Sequence, residues 1–171
     1  MKTLLLDIET SPNVAYTWGL FDQNVGLNQL VSTTEVICFA AKWQGQRKMH
    51  FFSDFHDGHE DMVLSAHALL DEADVVVHYN GTKFDIPHLN REFITALLPP
   101  PSPFKQIDLW RVVRQRFKFA STKLAHVAPA LGLEGKTSHE GFDLWRKCMA
   151  GDEAAWRKMR TYNRRDVELL E

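Results

Sequence analysis

Apolar and polar positions change their period several times along the chain, and each change marks an element. Residues 3–7 form a continuous apolar run that ends in an acid, the pattern of a strand buried on both faces. Residues 13–20 (NVAYTWGL) and 35–43 (EVICFAAKW) are rich in β-branched and aromatic residues and predict two more strands. Residues 48–53 (KMHFFS) follow the turn-like QGQR and predict a further strand in a hairpin. The first three strands are expected to be antiparallel. Over 59–73 the residues Met62, Val63, Ala66, Leu69 and Leu70 recur at helical spacing. The run 74–79 (DVVVHY) is again a buried strand, closed by the turn signal Asn80–Gly81. A crossover helix precedes it, so it should lie parallel to the first strand.

The second half is mostly helical in pattern. A helix is expected from about 85 to 97, then a stiff Pro-rich loop over 97–103 (LLPPPSP) and a short extended piece, QIDL. Asp108 suits the N-cap of a helix over 109–117. A shorter helix over 122–133 is disturbed by Pro129 and has Gly132 near its end. DLWRKCMAG reads as helix, and 152–171 is the strongest helical segment, with Asp152 and Glu153 at its positive end. Strands first, then strand–helix alternation, then helices predict an α/β fold. A mixed central sheet, with antiparallel first strands plus parallel strands, would be flanked by helices, in a single domain over 1–171.

Composition narrows the class little: 44% apolar and 25% charged residues describe an ordinary soluble protein with a real core. The first apolar run is far short of the roughly 20 residues that cross a bilayer, so no membrane association and a cytoplasmic location are expected. Cys38 and Cys148 have no paired spacing and read as reduced, buried thiols. Charge is more informative. The net value is only −2, but residues 1–104 hold 6 Lys/Arg against 13 Asp/Glu, and 105–171 hold 14 against 9. An acidic, metal-binding face beside a basic, phosphate-binding one fits that split, as do two solvated helix faces.

Four acids, at three places in the chain, carry the chemistry. Asp7 and Glu9 are two apart in a strand and project to one face, where they repel unless a proton or a cation intervenes. Oxygen ligands favour Mg²⁺ or Mn²⁺; an acidic strand end that reaches water is the plainer reading. Asp85 opens a helix just beyond a buried strand. A simple N-cap would explain it, but ligands gather at the carboxyl ends of strands in α/β sheets, near Asp7 and Glu9. Asp166 falls on the stripe Trp156, Met159, Asn163, Asp166, Leu170, which faces it inward, and Tyr162 lies one turn earlier. The plainer reading is a surface acid paired by Arg164 and Arg165. His56 and His59 sit among acids without a second ligand pair or a cysteine nearby, so they read as a polar helix start, not a zinc site.

Taken in order, these acids resemble the DEDD 3′–5′ exonucleases, a superfamily with a ribonuclease H-like fold. It includes proofreading domains of DNA polymerases, ribonuclease D and oligoribonuclease. LLLDIET matches the first motif, an apolar strand followed by D-x-E-T; Asn80, Phe84 and Asp85 match the second; Tyr162 and Asp166 match the Y-x3-D form of the third. The histidine form fails, because Thr161 stands five residues before Asp166 and His139 is too distant. The tyrosine (DEDDy) subgroup is indicated. TKLAHVAPALGLEGK also looks like the segment that precedes the third motif in this superfamily. The resemblance spans nearly the whole chain, and extends to small stand-alone exonucleases of bacteriophages.

That resemblance implies that Asp7, Glu9, Asp85 and Asp166 hold two divalent cations, Mg²⁺ or Mn²⁺, and that Tyr162 orients the attacking water. It implies removal of nucleoside 5′-monophosphates from the 3′ end of single-stranded DNA or frayed duplexes, and association with a DNA polymerase as a partner. RNA, in the manner of ribonuclease D, is the alternative substrate, and a catalytically idle accessory that binds nucleic acid the alternative role. Thr10, Asn80 and Phe84 are candidates for contact with the terminal nucleotides. Arg111, Arg114 and Lys123, with Arg116 and Lys118, could track the phosphates.

Overall fold

The computed structural model describes residues 1–133 and 141–171; His139 and the end of TKLAHVAPALGLEGK lie outside the described residues. The strands are β1 (Thr3–Thr10), β2 (Val14–Ala15), β3 (Leu30–Ser32), β4 (Val36–Trp43), β5 (Met49–Ser53), β6 (Val75–His78) and β7 (Lys105–Asp108). The helices are α1 (Asp54–Asp57), α2 (His59–Glu72), α3 (Asp85–Thr95), α4 (Leu109–Arg116), α5 (Leu124–Ala130), α6 (Phe142–Met149) and α7 (Glu153–Glu168).

Five strands form the main sheet in the order β5-β4-β1-β6-β7. The β1–β4 and β4–β5 pairs are antiparallel, and the β1–β6 and β6–β7 pairs are parallel. The mixed sheet expected from the sequence is therefore present, with β1 at its centre.

Strand periodicity sorts β1 between two cores. Leu4, Leu6 and Ile8 join Phe39 and Ala41 on the face covered by Met62, Val63, Ala66 and Leu70 of α2 and by Ile86, Leu89 and Phe93 of α3. Leu5 faces the other way, with Ala40, Val75 and Val77, onto Val167 and Leu170. Further along that second face, Ile37 and Cys38 pack on Leu144 and Cys148 of α6 and on Trp156, Met159 and Tyr162 of α7. Leu4, Leu5 and Leu6 are each at most 1% exposed, and burial stabilises each by ~1.5–3 kcal/mol. The apolar alternation thus locks the register of β1. By the same parity Asp7 and Glu9 must point toward α7. Both cysteines are buried and free, as expected.

One predicted strand is not part of the sheet. Of residues 13–20 only Val14–Ala15 is extended, paired with β3 in a separate two-stranded ribbon. The physical reason is that β1 has no vacant edge: β4 pairs with it from Leu4 to Thr10, and β6 occupies the other side. Tyr16, Trp18 and Phe21 are left exposed. Their β propensity counts for little without a neighbouring strand or a core to pack on.

Candidate active site

The site begins where β1 leaves the sheet. Its ladder with β4 slips between Glu9 and Thr10: Glu9 opposes Cys38, but Thr10 opposes Val36, so Ile37 is the extra residue of a bulge. Such bulges re-aim side chains at the end of a strand. Asp7 and Glu9 both project toward α7, and Asp166 meets them there from the helix. One carboxylate oxygen from each of Asp7, Glu9 and Asp166 lies within 4.8 Å of the others. Three like charges at that spacing favour binding of a cation or a proton. The donor set is all oxygen, which fits a hard divalent ion.

Tyr162 and Asp166 lie one helical turn apart, and the tyrosine hydroxyl donates to the Asp166 carboxylate. Tyr162 is 6% exposed, with its ring edge-on to Trp145 at 5.9 Å between centroids. Burial pushes its hydroxyl well above the usual tyrosine range, and the charges of Glu9, Asp166 and Asp7 push it further. At neutral pH it is a hydrogen-bond donor and not a base. Asn163, the next residue, is fully buried, and its Nδ2 donates to Asp7 Oδ2 at 2.7 Å and to the Asp7 carbonyl at 3.2 Å. Helical spacing puts Asn163 on the inward stripe but assigns it no role. Only its contact with a residue 156 positions away reveals one.

Asp85 is placed differently. It is not the helix cap, which is Phe84; its Oδ1 accepts from the Ile8 amide at 3.1 Å. The β1–β6 ladder ends at Leu5 opposite Val77, so this carboxylate bonds a β1 amide that β6 no longer reaches. Asp85 is 3% exposed. Burial pushes its carboxyl up to about 7, against the lowering effect of the Ile8 bond, and Asp108 adds to the rise. Its carboxylate is not within the group formed by Asp7, Glu9 and Asp166.

The turn after β6 is built tightly. Gly81 N–H donates to His78 Nδ1 at 3.0 Å, so His78 Nε2 carries the proton and donates to Gln106 Oε1 at 3.1 Å. Burial lowers the His78 pKa below its usual value. A Cβ at Gly81 would lie 2.4 Å from His78 Cγ, so this position must be glycine. Asn80 has φ +67°, in the left-handed region, and its amide donates to Asp108 Oδ1 at 2.9 Å. Asp108 also caps α4 as expected, accepting from Trp110 N at 3.1 Å.

A groove of about 510 Å³ runs from the acids along the end of the sheet, lined by Asp7, Asp166, Tyr79, Asn80, Trp110 and Lys123 among others. A second, of about 420 Å³, is lined by Thr82, Lys83, Trp110, Arg111 and Arg114 among others. Of the sequence candidates, Asn80 and Lys123 therefore border the acids, while Arg111 and Arg114 lie one step away. Thr10 is half-buried at the bulge, and Phe84 is 38% exposed with its ring edge against His88; neither lines these two grooves. His56 and His59 sit at helix starts, bonded to Ser53 and Glu92.

A family model described as the RNase_H superfamily matches residues 4–171. The chain belongs to the RNase H superfamily. This membership agrees with the observed sheet order and places the chain among RNase H-like nucleases, which use divalent metals. Among solved structures, this RNase H superfamily chain is similar to the family B DNA polymerase from the hyperthermophilic archaeon Pyrobaculum calidifontis. The TM-score is 0.72 at 17% identity, over 99% of this chain and 23% of that one. An identity that low shows a shared fold, and the chain spans under a quarter of that polymerase's length. No curated protein matches the sequence. Among the described residues, no helix is long and apolar enough to cross a membrane.

Proposed function

We propose that the chain is a metal-dependent 3′–5′ exonuclease of the DEDDy type, acting in the cytoplasm on single-stranded DNA or frayed 3′ ends. The observation that carries this reading is the convergence of Asp7, Glu9 and Asp166 at the mouth of a groove that also holds Lys123. Likeness to a DNA polymerase fold supports DNA over RNA as the substrate, and supports association with a polymerase.

Asp7, Glu9, Asp85 and Asp166 would hold two Mg²⁺ or Mn²⁺ ions. Bound there, such ions stabilise the attacking and leaving oxygens of an in-line displacement. The chain's own groups supply the rest. Asn163 holds the Asp7 carboxylate in one orientation. Tyr162 stays protonated, because burial and three neighbouring acids keep it so, and its hydroxyl orients the attacking water. Lys123 and the turn at Asn80 grip the phosphate and sugar of the terminal nucleotide, with Thr10 and Phe84 as further contacts. Hydrolysis joins the water oxygen to phosphorus and breaks the P–O3′ bond. A nucleoside 5′-monophosphate leaves, and the strand retains a 3′-hydroxyl.

The test uses DNA and RNA oligonucleotides of one sequence, labelled at the 5′ or the 3′ end, with Mg²⁺ or Mn²⁺. Stepwise shortening of the 5′-labelled DNA, with early release of the 3′ label as a mononucleotide, is expected. Faster degradation of RNA would overturn the DNA assignment. Release of the 5′ label first would overturn the polarity.

A further inference from the structure

Among the described residues, Trp110 is the one that lines both grooves. On one side of it lie the acids Asp7 and Asp166; on the other lie Lys83, Arg111 and Arg114. Trp110 is held at main chain and ring: its backbone N–H donates to Asp108 Oδ1 at 3.1 Å, and its indole Nε1–H donates to Thr122 Oγ1 at 3.2 Å. A ring fixed in this way loses little freedom when something stacks on it. The Arg114 guanidinium already lies 5.2 Å from the ring centroid, a cation–π contact. Among the described residues, no carboxylate lies within ion-pair distance of Lys83, Arg111 or Arg114, so these three cations share one groove with no ion pair of their own. Asp108 also lines this groove, but it is buried and its Oδ1 is taken up by backbone amides.

An ordered aromatic face beside cations that lack ion pairs is the chemistry that recognises single-stranded nucleic acid: bases stack and phosphates pair. We propose that Trp110 is a stacking platform for the nucleotides just 5′ of the bond being cut, with Lys83, Arg111 and Arg114 holding their phosphates. The proposal rests on the nuclease reading above, since that reading sets which end of the strand reaches Asp7 and Asp166. It adds a substrate requirement. The site should prefer strands long enough to pass from the acids over Trp110 and onto α4, and a dinucleotide should be a poor substrate.

The experiment compares a thymidine dinucleotide with a thymidine 10-mer, for the wild type and for Trp110→Leu, Trp110→Phe and Arg111→Gln/Arg114→Gln. Affinity is read with Ca²⁺ in place of Mg²⁺, and kcat/KM with Mg²⁺. Trp110→Leu should weaken 10-mer binding by about tenfold, the size of one lost base stack, and Trp110→Phe should restore most of it. The ratio of 10-mer to dinucleotide kcat/KM should fall in Trp110→Leu by a similar factor. The double arginine variant should lower the slope of log affinity against log salt by about 1.4, two phosphates at ~0.7 each. Equal losses for dinucleotide and 10-mer, or an unchanged 10-mer affinity in Trp110→Leu, would overturn the proposal. If Trp110→Leu does not fold by circular dichroism, the phenylalanine and arginine variants decide by the same readings. If the wild type shortens neither substrate, the nuclease reading fails separately, and the stacking site is then judged on 10-mer affinity alone.

Discussion

Asp7, Glu9 and Asp166 can act together only if each carboxylate is aimed, and Asn163 aims one of them through Asp7 Oδ2 and the Asp7 carbonyl. Loss of such an outer partner typically weakens a metal site by about 10–100-fold. Asn163→Ala should therefore weaken Mn²⁺ binding by a factor in that range, measured by calorimetry, with Tyr162 and Asp166 still in place. Unchanged affinity would remove the positioning role. The acids themselves were legible in the sequence, because a charged residue ending an apolar strand or interrupting an apolar helical stripe is costly without a reason. Asn163 was not legible, since a buried amide is chemically ordinary until its partner is known. Asp85 was legible as a residue but not in its geometry: nothing in NGTKFD indicates that its carboxylate bonds the Ile8 amide.

At the scale of elements, the turn that closes β6 sets the floor of the groove. Gly81→Ala would force a Cβ to 2.4 Å from the His78 ring and strain its bond to the Gly81 amide. Overpacking of this kind costs about 1–3 kcal/mol, so urea unfolding should show a loss of that size with little change in slope. His78 also predicts a pH effect. Its folded pKa is lowered below the unfolded value of about 6.5, so the stability it contributes is complete above that pH and is lost as pH falls below it. NMR should find His78 less than half protonated at pH 6.5, with the neutral ring's proton on Nε2. A half-protonated ring at that pH would contradict the burial argument. Most elements followed from apolar period alone: β1, β6, α2 and α7 have strong, unmixed patterns. Residues 13–20 did not follow, because aromatic and β-branched content reports fitness for a sheet and not a free edge to join.

At the scale of the whole molecule, the uneven charge of the chain becomes a spatial arrangement. The acidic first part supplies β1 and Asp85, and the basic second part supplies Arg111, Arg114 and Lys123 along the grooves. The helix α7 carries Asp166 back to β1 and so joins the two. The RNase H superfamily sheet thus brings residues from both ends of the chain to one point. The most direct measurement is the rate at which a 5′-labelled DNA oligonucleotide shortens in Mg²⁺, for the wild type, Asp7→Ala and Asp166→Ala, with folding checked by circular dichroism. The wild type should shorten the strand from its 3′ end and stop in EDTA, and both folded variants should be slower by at least about a thousandfold, a barrier increase of ~4 kcal/mol. A wild type no faster than Asp7→Ala or Asp166→Ala would contradict the assignment of these acids to metal-dependent hydrolysis.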